Sequence, residues 1–387
     1  MSAMSGRAEQ AVERERGALP VIIVGAGPAG LATAACLGRR GIEAVVFEAA
    51  PSLGHAWRNH YDRLHLHTVK GRSHLPGLRF ARDVPRYPSR ADVVAYLESY
   101  AERFGIAPRT GEPVVRVAVA PAGGYRVETA GAAHRARAVV IATGFNRAPN
   151  VARLPDQDTF RGTLLHAASY GNGQRFAGQR VLVVGAGNTG AELALDLAEQ
   201  GATPTLAVRS GVNVVPRDFL GLPIQVTSIW MRGLPLALSD RIGRAVSRLA
   251  FGDLARRGLP RAELGPLSAV ARRRRIPLID VGTVAAIDRG AITVKPAVAR
   301  LTATGAVFAD GSAADFDAIV LATGFHPALA EIVTVPGALD DAGYPRASRG
   351  TGVAGNIFFV GYRIVATGHL REIGIEARAV AAAIAAS

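Results

Sequence analysis

Residues 21–41 read VIIVGAGPAGLATAACLGRRG and residues 180–201 read RVLVVGAGNTGAELALDLAEQG. Each is a buried-type apolar run, a G-x-G-x-x-G turn and a helix-forming stretch. In such a unit the first glycine makes the tight turn and the second lets backbone N–H groups approach a pyrophosphate. The third lets the helix pack on its strand. One such turn is a weak signal. Two, each following an apolar strand and opening a helix, predict two doubly wound α/β units, each holding a dinucleotide on Gly25, Gly27, Gly30 or on Gly185, Gly187, Gly190.

The ends of the second strands tell the two ligands apart. VVFEA places Glu48 where a carboxylate accepts hydrogen bonds from an unphosphorylated adenosine ribose, as in FAD. TLAVRSG places Arg209 and Ser210 at the equivalent point with no acid, which suits a ribose 2′-phosphate and predicts NADPH. Surface roles for Glu48 and Arg209 are the plain alternatives.

Working outward, PSRADVVAYLESYAERFG predicts a helix capped by Ser89, with Asp92 answering three residues on and Gly105 ending it. AVVIATGF at 138–145 and AIVLATGF at 318–325 are buried strands closing on matching turns. The order loop, turn, loop, turn is not a solenoid repeat. It predicts one domain inserted in another, with two crossings that make a hinge. The expected layout is a disordered segment at 1–18, a FAD domain at 19–155, an NADPH domain at 156–290 and the rest of the FAD domain at 291–387. Strands near 291–294 and 357–360 are expected to complete the first sheet.

At 387 residues, 49% apolar with 44 glycines, the chain has the composition of a globular α/β protein. Its longest apolar runs, such as 379–386, fall short of a bilayer span, and 1–19 has no signal-peptide core, so a cytoplasmic protein without stable membrane insertion is expected. Cys36 is the only cysteine, which removes disulfide-reductase chemistry, because that needs a redox pair. The net charge of +14 rests on scattered arginines with two lysines and one dense run, Arg272 to Arg275. No nucleic-acid motif accompanies the run, and a solvated patch is the simpler reading. The arginine bias also resembles the composition of GC-rich bacterial genomes.

FRGTLLHAASY, with Phe160, Gly162, His166 and Tyr170, matches the F-x-G-x-x-x-H-x-x-x-[YF] signature of the flavin-containing monooxygenases. YDRLHLHTVK (61–70), NVVPRDFLG (213–221), IPLIDVGT (276–283) and DAIVLATGF (317–325) resemble, in the same order, segments of the YUCCA branch of that family. The resemblance implies that NADPH reduces FAD and that oxygen adds to the reduced flavin as a carbon-4a (hydro)peroxide. It further implies oxygenation of a small molecule, with an aryl 2-oxo acid such as indole-3-pyruvate first in line. N- or S-oxygenation or Baeyer–Villiger oxidation is the rival within the class. An NADPH-dependent flavoprotein reductase without oxygenation is the rival outside it.

By the same resemblance Trp57, Arg58, Thr143, Gly144, Asn188, Thr323 and Gly324 fall at the cofactors, and His166 takes a structural or cofactor-positioning role. Arg217 is a second candidate for the NADPH phosphate, with a salt bridge to Asp218 or Asp240 as its rival. His67 and Lys70 fall where relatives face the flavin and are the catalytic candidates. The i, i+2 spacing of His65 and His67, with His74, lacks a ligand set and predicts no metal. The partners implied are the substrate and O2, with no nucleic acid; a homodimer stays open. The sequence departs from the family at Gly54-His55-Ala56-Trp57, after Tyr170, and in the tail around His369 to Ile373. Substrate choice is expected in that tail and in 221–238.

Overall fold

The computed structural model describes residues 19–347 and 355–387; the segment expected to be disordered, 1–18, lies outside them. The chain opens with β1 (Val21–Val24), α1 (Pro28–Gly38) and β2 (Ala44–Glu48), followed by α2 (Arg90–Arg103), β3 (Arg109–Thr110) and β4 (Ala138–Ile141). A second set comprises β5 (Thr163–His166), β6 (Arg180–Val184), α3 (Asn188–Glu199) and β7 (Thr203–Val208). Helices α4 (Ile224–Trp230), α5 (Leu236–Phe251) and α6 (Pro266–Arg273) come next, then β8 (Thr293–Pro296), β9 (Ala318–Leu321), β10 (Ile357–Phe359) and α7 (His369–Ala385).

Two five-stranded parallel sheets result, ordered β10-β4-β1-β2-β3 and β8-β7-β6-β9-β5. The central strands are apolar because both faces of each parallel sheet are covered, by helices on one side and by a three-stranded antiparallel sheet on the other. All four residues of β1, β4 and β9 are buried. Pro28 starts α1, where its missing N–H costs nothing. The capping box of α2 is as expected: Asp92 N donates to the Ser89 hydroxyl and the Asp92 carboxylate accepts from Ser89 N.

The doubled turns have a mechanical purpose. Gly25 has φ +103°, and a Cβ there would lie 2.6 Å from the Ala142 carbonyl oxygen. Gly185 has φ +116°, and its Cβ would lie 2.5 Å from that of Ala322. Each glycine loop therefore rests on one of the two Ala-Thr-Gly turns, and no other residue fits either position.

The sheet pairing corrects the expected layout. Thr293–Pro296 pairs with β7 and Ala318–Leu321 with β6, so both complete the second sheet rather than the first. The chain leaves the first sheet through Ala148–Pro149 and returns through Phe325–His326, and these two crossings pair antiparallel. The return thus comes near residue 325, not 291. A buried apolar run shows that it is a strand; which sheet it joins is decided by long crossovers that leave no local signal.

Candidate functional site

Both glycine loops present the same open cradle. A Cβ on Gly27 or Gly187 would meet nothing within 4 Å, whereas one on Gly30 or Gly190 would lie 1.8 Å from the carbonyl oxygen of Gly25 or Gly185. No side chain caps α1 or α3. Their first N–H groups, with the positive end of the helix dipole, stay available to an anion. Glu48 accepts hydrogen bonds from Ala26 N at 2.8 Å and Ala50 N at 2.9 Å, which fixes its carboxylate at the loop mouth with lone pairs to spare.

The second loop carries a different charge. Arg209 and Ser210 are exposed just beyond β7, and Arg275 Nη2 donates to Ser210 Oγ at 3.2 Å. Two of the expected coenzyme residues have their side chains engaged within the protein. Asn188 is consumed by the protein: its amide donates to Pro277 O at 3.1 Å and its Oδ1 accepts from Ile279 N at 2.7 Å. Its side chain clamps a neighbouring segment. Arg217 stacks 4.2 Å from the Tyr87 ring centroid, with Asp218 3.6 Å away, and so joins the segment before α2 to the one before α4. Asp240 instead accepts from Leu267 N and Ser268 N.

Trp57 packs on the first core, and Arg58 donates to Leu53 O at 3.1 Å and pairs with Glu98. Thr143 N and Oγ1 lie 3.1 and 2.9 Å from the Tyr362 hydroxyl, whose pKa burial pushes up to about 12. Gly144 takes a left-handed φ of +81°. Tyr362 itself was not anticipated; its position after β10 was the only available clue. On the second sheet the Thr323 hydroxyl donates to Asn150 O and Gly324 O accepts from Asn150 N, so this turn stitches the crossings together instead of offering its hydroxyl to a ligand. His166 Nδ1 accepts from Ala168 N at 3.1 Å and its ring meets Phe325 edge-on at 5.1 Å; burial lowers its pKa.

The two catalytic candidates are engaged by the protein itself. Lys70 Nζ donates to the carbonyls of Ala81 (3.3 Å), Arg82 (2.8 Å) and Val84, which uses all three of its protons to tie a loop. His67 Nε2 sits 2.5 Å from Glu192 Oε1 on α3, off the hydrogen-bond axis, so it is an electrostatic contact between the two units. His65 Nδ1 faces Arg63 O and His74 Nδ1 faces Leu75 O. Among the described residues no three His, Cys, Asp or Glu side chains converge as a metal requires.

A cavity of about 530 Å³ opens between the α4–α6 region and the tail after β10. Met231, Leu234 and Val270 line one side, Ile364 and Val365 the other, so both stretches expected to govern substrate choice meet here. It adjoins Tyr362 and the carboxyl end of the first sheet, where doubly wound folds bind ligands. Three arginines reach it. Arg274 pairs with Asp340 at 3.1 Å and Arg363 with Glu372 at 3.1 Å. Arg232 has no partner among the described residues.

A family profile described as pyridine nucleotide-disulphide oxidoreductase matches residues 22–217. The chain is 43% identical to indole-3-pyruvate monooxygenase YUCCA1 of Oryza sativa subsp. japonica, over 83% of this chain and 79% of that one. The chain belongs to the YUCCA family of flavin monooxygenases. To YUCCA6 of Arabidopsis thaliana it is 42% identical, covering 79% and 75%. A double mutant of the flavin monooxygenase from Stenotrophomonas maltophilia superposes with a TM-score of 0.73 at 25% identity, covering 95% and 98%.

As a YUCCA-family enzyme the protein is an NADPH-dependent flavin monooxygenase using FAD and O2. Its residues fit both cofactors. An uncapped helix, an open glycine and a fixed acid suit FAD at the first loop, and the same cradle with arginine in place of acid suits NADPH at the second. The disulphide chemistry in the profile's description has no counterpart here, since Cys36 is buried and alone.

Proposed function

We propose that the enzyme oxidatively decarboxylates an aryl 2-oxo acid of the indole-3-pyruvate type. The observation that carries this reading is the cavity: a mixed lining in which Met231, Leu234, Val270, Ile364 and Val365 supply apolar surface and Arg232 an unpaired cation suits a flat hydrophobic body bearing a carboxylate. The activity printed for the YUCCA relatives agrees with it. The balanced reaction takes R-CO-COOH, O2, NADPH and a proton to R-COOH, CO2, water and NADP+.

FAD, reduced by NADPH, supplies the oxygen-activating chemistry when both are bound. The protein's part is positioning and exclusion of water. Gly25 to Gly30 and Glu48 would hold the adenosine and pyrophosphate of FAD, and Thr143 and Tyr362 form a fixed polar pair beside the cavity. Ion pairs neutralise Arg274 and Arg363 in the wall, which leaves Arg232 to take the substrate's anion. His166, wedged against Phe325 on the crossing, sets how the second unit meets the first. We place the activity in the cytoplasm, consistent with a lone cysteine and with described helices too short or too polar to cross a membrane.

The test is anaerobic loading with NADPH, then oxygen and indole-3-pyruvate, with product analysis. Indole-3-acetate and CO2 formed in step with NADPH consumed support the reading. NADPH oxidation yielding only hydrogen peroxide, with the oxo acid untouched, overturns it.

A further inference from the structure

Gln225 is the second residue of α4 and is 1% exposed, although the side chains around it on this short helix are mostly half-buried. A buried primary amide is costly unless its donors and its acceptor are met. Its Oε1 accepts from Val69 N at 3.0 Å, and its Nε2 donates to Thr367 O at 3.0 Å and to Arg72 O at 3.5 Å. One N–H and two carbonyls fix which end of the amide is the oxygen. The partners belong to distant stretches. Val69 and Arg72 bracket the single turn Lys70–Arg72, ahead of α2, and Thr367 lies in the tail between β10 and α7. Helix α4 itself lies in the length of chain between the two crossings. The tail comes in very close: Gly368 takes φ +99°, and a Cβ there would lie 2.3 Å from Gln225 Nε2 and 3.3 Å from Thr68 Cγ2. From Thr367 the connection runs on, its hydroxyl donating to Glu372 Oε1 at 2.9 Å, and Glu372 holds Arg363 at 3.1 Å.

We infer that Gln225 is a positioning residue for the oxygenation, holding the tail wall of the cavity against the α4 wall and so keeping water from the reacting centre. Ser228 and Thr367 line the cavity, one from each wall, and Gln225 stands behind them without lining it. It therefore acts through the wall and not on a ligand. Without its amide the Thr367 carbonyl loses that donor in a buried place, and the two walls must part for it to reach water. Water admitted to the cavity lets NADPH be oxidised with no organic substrate: NADPH, O2 and a proton give NADP+ and hydrogen peroxide. This role rests on placing the reaction at the cavity, and is the same whatever organic substrate enters it.

The experiment is hydrogen–deuterium exchange of the FAD-loaded full chain, followed at single amides, alongside the rate of hydrogen peroxide release from NADPH and O2 with no substrate added. The amides are those of Val69, which donates to Gln225, and of Glu372, which donates to Gly368 O at 3.2 Å and so reports on the tail. Gln225→Leu is expected to speed exchange at both about tenfold and to raise the peroxide leak about fivefold. Gln225→Glu keeps an acceptor for Val69 N but sets a carboxylate against the Thr367 carbonyl. It is expected to leave Val69 slow, speed Glu372 and raise the leak. Thr227→Ala, on the same helix, is expected to change none of the three. Faster exchange at Glu372 with an unchanged leak overturns the positioning role and leaves a structural tie; unchanged exchange at Glu372 in both Gln225 variants overturns the tie itself. Arg232→Met keeps the two readings apart, since it raises KM for the 2-oxo acid if the cavity takes that substrate, whatever the Gln225 variants do.

Discussion

His67 Nε2 lies 2.5 Å from Glu192 Oε1, so a side chain from the segment after the first dinucleotide unit meets the helix that opens the second. Tyr61, also buried, has its hydroxyl pKa held well above the usual phenol range by burial first and by Glu192 second. Glu192→Ala removes the acceptor of the Tyr61 hydroxyl and the carboxylate that His67 meets, and is expected to cost about 2 kcal/mol or more in urea unfolding. Glu192→Gln keeps an acceptor oxygen and is expected to cost less. Equal losses for the two variants argue that only volume matters at this seam.

Within each glycine loop, two substitutions separate folding from ligand binding. Gly30→Ala drives a Cβ into the Gly25 carbonyl and is expected to give little folded protein. Gly27→Ala has room in the protein itself and is expected to fold but lose FAD, seen as colourless enzyme with native circular dichroism. A yellow Gly27→Ala enzyme contradicts the cradle assignment.

Acid sensitivity is expected at the tail. Burial, first of all, pushes the pKa of His369 down from 6.5 to about 4. The unfolded chain therefore binds a proton between those values that the folded chain refuses, and stability falls as pH drops through that window. Above 6.5 the residue contributes no slope. His369→Gln is expected to flatten the acid limb of stability between pH 6.5 and 4, measured by melting temperature against pH; an unchanged limb removes His369 from the account.

At the cavity, Arg232→Met is expected to raise KM for the 2-oxo acid about tenfold with kcat little changed, because it removes one charge-assisted contact and keeps the apolar stem. Arg232→Lys is expected to restore much of the loss. A fall in kcat at constant KM places Arg232 away from the carboxylate.

Features written within a few neighbouring residues were legible in the sequence. Ser89 and Asp92 cap their helix, Gly25 and Gly185 take the left-handed turns, and Glu48 and Arg209 stand at matching strand ends. Features made by distant residues were not. Thr293–Pro296 carries no mark of which sheet it joins, and the partners of Lys70 and His67 lie on elements that family position does not reveal. Arg275 meets Ser210 across 65 residues, by way of a helix end whose backbone turn a run of four arginines does not announce.

The paired crossings at Ala148–Pro149 and Phe325–His326 also set an order of assembly during synthesis. The second sheet is one unbroken length of chain between them, whereas the first waits for β10 and α7, which follow that length in the chain. The unit built on the second sheet is therefore the first able to close, and the unit built on the first sheet matures around a finished neighbour. An interrupted chain ending before residue 357 would present a folded second unit attached to a first sheet with an open edge and an uncovered α1, a target for proteolysis rather than a half-active enzyme.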